Sequence, residues 1–306
     1  MNIKAKSYNS DQDFTRILDF LRKTFLETKS FYNYFPTNFE NDRYNYPEGI
    51  HIWEELDESD HSKDPNIVSL TTPMRKFIYF IQCHANYQFL YPEMVTWIIN
   101  HSETVKDEQL KDQSLIIITL EGNLSLENTL IDHGFIRGEN EGIFRIRPLD
   151  VPIHDFSLPE GFTIRPIKGE GEYDLYAKAI RETFGHGEWF NGEVVSQLNS
   201  STYYNQDLDL VIEAPNGDIA SFCTFRMDPV TKLTELEPMG TVPKYRKLGL
   251  GKALLGEGIK RLNKYNPSLL FIGGAGGAAD NPGANKLYES TGFAGRGIFY
   301  KWIKQI

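Results

Sequence analysis

A short segment that joins a predicted strand to a predicted helix carries the residues best suited to chemistry. It reads Val242-Pro-Lys-Tyr-Arg-Lys-Leu-Gly-Leu-Gly-Lys-Ala-Leu-Leu255, so Arg246, Gly249 and Gly251 form an Arg-x-x-Gly-x-Gly pattern. The first turn of a helix leaves backbone N–H groups without partners, and glycines let a ligand approach them closely. The helix dipole favours an anion there, and two lysines in the segment add positive charge. The segment therefore predicts a binding site for a diphosphate.

Two other kinds of phosphate loop fit the sequence less well. A Walker loop needs glycine where Arg246 stands and serine or threonine where Ala253 stands. The stretch Gly274-Ala-Gly-Gly-Ala-Ala279 matches the dinucleotide pattern G-x-G-x-x-A after a predicted strand. However, Pro282 follows soon after it, and no long helix is predicted to open there. The dinucleotide interpretation is therefore disfavoured.

The elements that position the glycine turn are predicted to be mixed α/β. The strand before it, 233–242, contains Pro238 and Gly240. A proline is tolerated in a strand at an edge or a bulge, so this strand is expected to splay near its middle. The helix after the turn is predicted over 249–262. The other elements predicted in this half are strands 162–167, 208–213, 219–226, 269–272 and 298–303 and helices 173–183 and 284–290.

The two halves of the chain repeat each other at an offset of 158 residues. The pairs at this spacing are Asn123 and Asn281, Tyr87 and Tyr245, and the dipeptides Gly134-Phe135 and Gly292-Phe293. Several matches in one frame predict a duplicated domain. We expect domains at 1–150 and 159–306, joined by the proline-containing segment PLDVPIHDFSLPEGF.

The first half lacks the residues that would bind a diphosphate. At the same offset the turn becomes Gln88-Phe-Leu-Tyr-Pro-Glu93, which has neither glycine, and Pro92 removes a backbone N–H. The position that matches Tyr288 holds Leu130. The first domain is therefore expected to be degenerate and to have no cofactor motif.

A second motif identifies a family resemblance. The segment Asn281-Pro-Gly-Ala-Asn-Lys-Leu-Tyr-Glu-Ser-Thr-Gly-Phe293 has the pattern Asn-x-x-Ala-x-x-Leu-Tyr-x-x-x-Gly-Phe. Together with the Arg-x-x-Gly-x-Gly turn, it resembles the signatures of the GNAT acyltransferase superfamily over residues 160–306. Glu237-Pro-Met-Gly-Thr241 resembles tandem-domain bacterial members. The resemblance implies two tandem α/β domains, each a mixed, mostly antiparallel twisted sheet flanked by helices.

The resemblance also implies an activity: an N-acetyltransferase that moves an acetyl group from acetyl-CoA to an amine by direct attack. The turn would hold the CoA diphosphate, and the splayed strand would pair with the pantetheine arm. The residues expected at the cofactor are Thr241, Val242, Arg246, Lys247, Leu248, Gly249, Leu250, Gly251, Lys252 and Asn281.

The same resemblance assigns the catalytic roles. Tyr288 would protonate the departing CoA thiolate, and Glu237 would take the proton of the incoming ammonium, directly or through water. Glu235 is the alternate base, facing the same side by strand periodicity unless a bulge intervenes. A backbone N–H near Met239–Thr241 would stabilise the oxyanion.

Each assignment has a plainer alternative. Tyr288 can be a packed aromatic, Glu237 a solvated carboxylate, and Asn281 only a helix cap. The segment Gly185-His-Gly-Glu-Trp-Phe190 lies where GNAT proteins often place acceptor contacts, and it can equally be an ordinary loop. A noncatalytic acyl-CoA-binding module is the alternative function.

Composition limits the partners. The net charge of −10 disfavours nucleic-acid binding and suits a cationic amine acceptor, which is a small molecule or a peptide. No apolar run is long enough for a membrane, and no apolar signal core opens the sequence, so a cytoplasmic protein is expected. With two distant cysteines and seven histidines in no metal spacing, no metal site is predicted.

Overall fold

The duplication predicted from the sequence is visible in the order of the elements. We describe a computed structural model that covers residues 2–28, 35–42, 46–56, 64–105, 113–273 and 281–306; the stretch Gly274–Ala279 lies outside these residues. Two compact units are present, one made of Met1–Glu141 with Ile298–Ile306 and one of Gly142–Gly297.

The described residues of the first repeat form six strands and four helices. They are β1 (Ile3–Ser7), α1 (Ser10–Thr28), α2 (Pro36–Asp42), β2 (His51–Glu55), β3 (Asn66–Arg75), β4 (Ile78–Cys83), α3 (Tyr91–Val105), β5 (Ser114–Leu120), α4 (Leu124–Asp132) and β6 (Ile136–Arg147).

The second repeat has the same elements in the same order. They are β7 (Thr163–Pro166), α5 (Tyr173–Phe184), α6 (Gly192–Asn199), β8 (Asp209–Glu213), β9 (Ile219–Met227), β10 (Leu233–Thr241), α7 (Leu250–Leu262), β11 (Leu269–Ile272), α8 (Pro282–Ser290) and β12 (Ala294–Gln305). Every element predicted in this half is present, with small differences at the ends.

The last strand of each repeat lies in the sheet of the other unit. In the first unit the strand order is β1-β2-β3-β4-β5-β12, and in the second it is β7-β8-β9-β10-β11-β6. Of the pairings within each unit that the described residues form, β4 with β5 and β10 with β11 are parallel, and the others are antiparallel. The compact units therefore differ from the ranges 1–150 and 159–306, because β6 and β12 are exchanged.

The repeat extends to single hydrogen bonds. Asn123 and Asn281 each precede a helix and accept a hydrogen bond from the backbone N–H three residues later, at Leu126 and Ala284. Gly134 and Gly292 both take a left-handed φ, of 80° and 91°, after these helices. Glycine adopts this conformation with little strain, which explains why the Gly-Phe dipeptide recurs.

Helices cover both faces of the second sheet. On one face α7 and α8 pack on β8–β11 through an apolar core that includes Leu236, Leu254 and Tyr288. On the other face α5 and α6 pack through a core that includes Tyr176 and Phe222. The sheet is therefore a rigid base for the segments that follow its strands.

A buried arginine anchors the linker to the second unit. Arg147 is 1% exposed, and its guanidinium donates to the backbone carbonyls of Thr291, Pro148, Val151 and Pro152. The predicted linker, 148–162, indeed contains no helix or strand. In the described part of the chain, no helix is long and apolar enough to cross a membrane.

The first unit contains a histidine whose titration should affect stability. The His51 ring stacks on the Trp97 ring with 4.3 Å between the ring centroids, and Trp97 stacks on His101 with 4.9 Å between the centroids. Burial, assisted by the charge of His101, lowers the pKa of His51 to about 4. The His51 Nδ1 atom is buried and has no hydrogen-bond partner among the described residues.

We expect His51 to destabilise the protein in acid. The folded state keeps His51 neutral while the unfolded chain binds a proton below its usual pKa near 6.5. Relative to acid, neutral His51 therefore contributes on the order of 1 to 3 kcal/mol to the free energy of unfolding. This contribution is complete above a pH of 6.5 and is lost as the pH falls toward 4. The measurement is the free energy of urea unfolding against pH. The variant His51→Phe keeps a ring in the stack but cannot gain the proton, so its acid slope should be smaller; an equal slope would contradict the assignment.

Candidate active site

The turn between β10 and α7 has an unusual backbone. Lys247 and Gly249, separated by one residue, both take left-handed φ angles, of 67° and 79°. A Cβ atom on Gly249 would meet no atom within 4 Å. Glycine is therefore required there by its φ angle and not by lack of space.

The backbone of this turn offers hydrogen-bond donors to an external acceptor. Within the described residues, none of the N–H groups from Lys247 to Gly251 has a hydrogen-bond acceptor, and no side chain caps α7. The N–H of Lys252 is different, because it donates to the Gly249 carbonyl at 3.1 Å. Five amides at the positive end of a helix form an arrangement that suits an anion, and Lys252 can add only its side chain.

The turn that carries these amides lines a cleft of 530 Å³ in the second unit. Of the residues predicted at the cofactor, the turn and the start of α7 contribute Arg246, Lys247, Gly249, Leu250, Gly251 and Lys252 to its walls. Thr241 from β10 and Asn281 and Tyr288 from the α8 segment line it as well. The two motifs, some thirty residues apart in the chain, thus meet at one cleft.

Three predicted residues do not line the cleft. Val242 is 2% exposed, and its N–H donates to the Ala220 carbonyl at 3.0 Å, so this residue is part of the core. Leu248 is an exposed residue of the turn, and Glu237 lies on β10 at a position before the residues that line the cleft. Conversely, Thr183 and Phe184 line the cleft but were not predicted to do so. They lie at the end of the predicted helix 173–183, and the helical pattern does not indicate contact with a ligand.

Strand β10 is splayed as predicted. Among the described residues, its parallel pairing with β11 extends to Glu235, and a bulge between Leu236 and Met239 interrupts its pairing with β9. Because the Val242 N–H bonds to Ala220 on the β9 side, antiparallel alternation turns the N–H groups of Met239 and Thr241 toward the opposite edge. That edge can offer backbone donors to a ligand in the cleft.

Tyr288 lies at the base of the cleft. It is 4% exposed, and its ring packs edge-to-face on Phe293 at 5.8 Å. Burial and the nearby charge of Glu237 raise the pKa of Tyr288, and Arg145 opposes this shift. The phenol therefore keeps its proton at neutral pH and is available as a proton donor to a negative charge that develops beside it.

The two candidate bases differ in environment. The Glu237 side chain is exposed at the surface. The surrounding protein nevertheless desolvates its carboxylate and raises its pKa, and the positive charge of Arg226 opposes this rise. Glu235 is 4% exposed and lies against Gly273, where an added Cβ would come within 2.7 Å of its Oε1 atom. The bulge separates the two carboxylates, so strand periodicity alone does not place them on one side.

Arg246 and Asn281 both make the contacts of structural residues. Arg246 donates through Nε to the Thr241 carbonyl at 3.1 Å and through Nη2 to the Thr183 carbonyl at 3.4 Å. Asn281 caps α8 through Oδ1. Both also line the cleft, so bracing the site and contacting a ligand are compatible roles for them.

The segment between α5 and α6 presents an aromatic group. Phe184, which lines the cleft, is 47% exposed, and Trp189 is 65% exposed. The His186 ring lies between them, at 5.9 Å from Phe184 and 5.5 Å from Trp189. Aromatic faces of this kind can contact apolar groups or cations.

We expect Gly249→Ala to destabilise the protein by about 1 kcal/mol, because alanine is strained at this φ angle. The matched control is Gly171→Ala, where an added Cβ also meets no atom within 4 Å but the φ angle is not left-handed. Thermal unfolding of the two variants measures the difference. Equal midpoints would show that the turn does not need the left-handed conformation.

Comparison with known proteins agrees with this geometry. Residues 174–293 match the acetyltransferase (GNAT) family. A mycothiol acetyltransferase from Kineococcus radiotolerans is 27% identical over 160 residues, which are 50% of each chain. One from Salinispora tropica is 26% identical over 158 residues, 48% of this chain and 50% of the other. The chain thus spans about half the length of the curated relatives it matches.

Solved structures share the whole fold. A GCN5-related N-acetyltransferase from Sphaerobacter thermophilus superposes with a TM-score of 0.70 at 15% identity, covering 99% of this chain and 95% of the other. A tandem GNAT protein from the clavulanic acid biosynthesis pathway gives 0.68 at 12% identity, covering 99% and 98%. Residues 174–293 thus match the GNAT acetyltransferase family, and the chain as a whole shares the fold of tandem GNAT proteins.

Proposed function

We propose that the second unit transfers an acetyl group from acetyl-CoA to an amine by direct attack. The observation that carries this proposal is the cleft in which unpaired amides of a glycine turn and a buried phenol open onto the same space. Neither a diphosphate site nor a lone tyrosine would indicate acyl transfer by itself.

In this proposal, different groups of the cleft bind different parts of acetyl-CoA. The N–H groups from Lys247 to Gly251 hold the diphosphate, and the side chains of Lys247 and Lys252 add positive charge. The edge of β10 beyond Glu235, which pairs with no described residue of β11, offers N–H groups to the pantetheine arm. Asn281 keeps its Nδ2 group for the same arm while Oδ1 caps the helix.

The reaction needs one base, one acid and a donor to the oxyanion. The amine nitrogen attacks the thioester carbonyl carbon, and Glu237 takes the proton that the nitrogen loses, directly or through water. The carbonyl oxygen becomes an oxyanion that accepts hydrogen bonds from the N–H groups of Met239 or Thr241. The carbon–sulfur bond then breaks, and Tyr288 gives its proton to the CoA thiolate.

The first unit has no equivalent site in this proposal. The position of Tyr288 is taken by Leu130, which is fully buried. The Tyr91 hydroxyl accepts a hydrogen bond from Asn123 Nδ2 at 3.1 Å, so the asparagine that matches Asn281 is occupied by its own protein. We propose that this unit is degenerate and supports the second.

A small molecule with a primary amine is the proposed acceptor. The names of the two curated relatives make a mycothiol-related amine the first candidate class. We propose that the aromatic group of Phe184, His186 and Trp189 contacts this acceptor, because it stands at the edge of the cleft.

The test is release of free thiol from acetyl-CoA across a panel of amines that includes glucosamine. Tyr288→Phe should lower turnover by about 10²-fold or more, because loss of a general acid has that order of effect. Its affinity for CoA, measured by calorimetry, should stay unchanged. The control is Tyr265→Phe, whose hydroxyl bonds to Asp207 and does not line the cleft. Full turnover in Tyr288→Phe would contradict the mechanism, and CoA binding without turnover on any amine would favour a noncatalytic module.

A further inference from the structure

One buried cation beside helix α8 has no role in the mechanism above. Arg145 lies on β6, the strand that ends the first repeat, and it pairs there with Ile272 of β11 in the second unit. Its side chain is 5% exposed. Burying a guanidinium is costly unless its charge and its donors are satisfied.

The contacts of Arg145 join it to the helix that carries Tyr288. Its Nη2 atom donates to Asn285 Oδ1 at 3.0 Å, and it lies 3.7 Å from Glu289 Oε1. Asn285 is one turn before Tyr288 on α8, and Glu289 is the next residue after it. Arg145 therefore fixes the segment of α8 that presents the phenol.

These contacts leave the cation incompletely compensated. The Glu289 side chain is 64% exposed, so water screens its charge. Asn285 is neutral, and within the described residues the buried Nε atom of Arg145 has no hydrogen-bond partner. An apolar side chain would pack here at lower cost, which favours a role for the positive charge.

The Tyr288 phenol is a charge-sensitive neighbour of this cation. Three ionisable groups act on it from the surrounding strands: Glu237 from β10 and Cys223 from β9 raise the pKa of Tyr288, and Arg145 from β6 lowers it. Among them, Arg145 is the group that favours the phenolate.

We propose that Arg145 is a positioning residue for the acid: it holds α8 and places a positive charge that stabilises the phenolate left when Tyr288 gives up its proton. The second unit would then need strand β6, supplied by the end of the first repeat, for full activity. The catalytic part of this inference rests on the proposed function. The effect on the phenol does not, and it is measured separately.

The direct test replaces Tyr288 with 3,5-difluorotyrosine, whose phenol is more acidic, and follows its ionisation by ultraviolet absorbance and ¹⁹F NMR in the full chain. Arg145→Met should raise the pKa of this phenol by about 1 unit or more, whereas Arg145→Lys should shift it much less. Arg145→Gln is a second neutral variant in case Arg145→Met does not fold. The control is Lys264→Met, which removes one exposed charge of the same unit. A shift in the neutral Arg145 variant no larger than that of Lys264→Met would overturn the proposal.

Turnover of acetyl-CoA with the best amine of the panel gives the second measurement. Arg145→Met should lower kcat by up to about tenfold in the presence of Tyr288, and it should cause no further loss in the Tyr288→Phe background. Losses that multiply would show a general structural effect and overturn the role in catalysis. If the protein has no transferase activity while the fluorinated phenol still responds to Arg145, the proposed function has failed and the electrostatic role stands.

Discussion

The second unit is organised around backbone N–H groups that the start of α7 does not pair internally. In a regular helix the first turn always leaves such groups, and side chains or water usually satisfy them. Here no side chain caps the helix, and left-handed conformations at Lys247 and Gly249 open the preceding turn as well. These donors have no acceptor among the described residues, so an anion bound there would satisfy them with charge-assisted hydrogen bonds.

The rest of the cleft follows from the way the sheet is broken beside this turn. In the part of the chain that the structure describes, parallel pairing of β10 with β11 ends at Glu235, and the bulge before Met239 turns the end of β10. The freed edge then leads from the middle of the sheet toward the turn. Helix α8 closes the other side and places Tyr288 in the apolar core, where the phenol is held protonated.

The first unit shows what happens to this architecture without the glycine turn. Its α4 has the same cap as α8, and β4 separates from β5 after Tyr79. However, Tyr91 and Asn123 bond to each other, and Leu130 fills the place of the phenol. The fold therefore does not require the site, and the polar residues of the second unit are better explained by chemistry than by stability.

Much of this arrangement was predictable from local sequence rules. Pro238 and Gly240 predicted the interruption of β10, and the offset of 158 residues predicted the repeat, because both depend on residue type and spacing alone. The exchange of β6 and β12 was not predictable, since the two strands have equal lengths and their sequences do not specify which sheet they join. Arg145 was missed for the same reason: nothing local connects it to Tyr288, 143 residues later in the chain. Val242, which was predicted at the cofactor, has both its side chain and its N–H in the core, which the motif alone did not indicate.

The central claim is that the amides from Lys247 to Gly251 bind the diphosphate of CoA. Hydrogen exchange of individual backbone amides, measured by NMR with and without CoA, tests it most directly. The account predicts that CoA slows exchange at these five amides and leaves the corresponding turn of the first unit, 88–93, unchanged. Tight CoA binding with unchanged exchange at all five amides would contradict it.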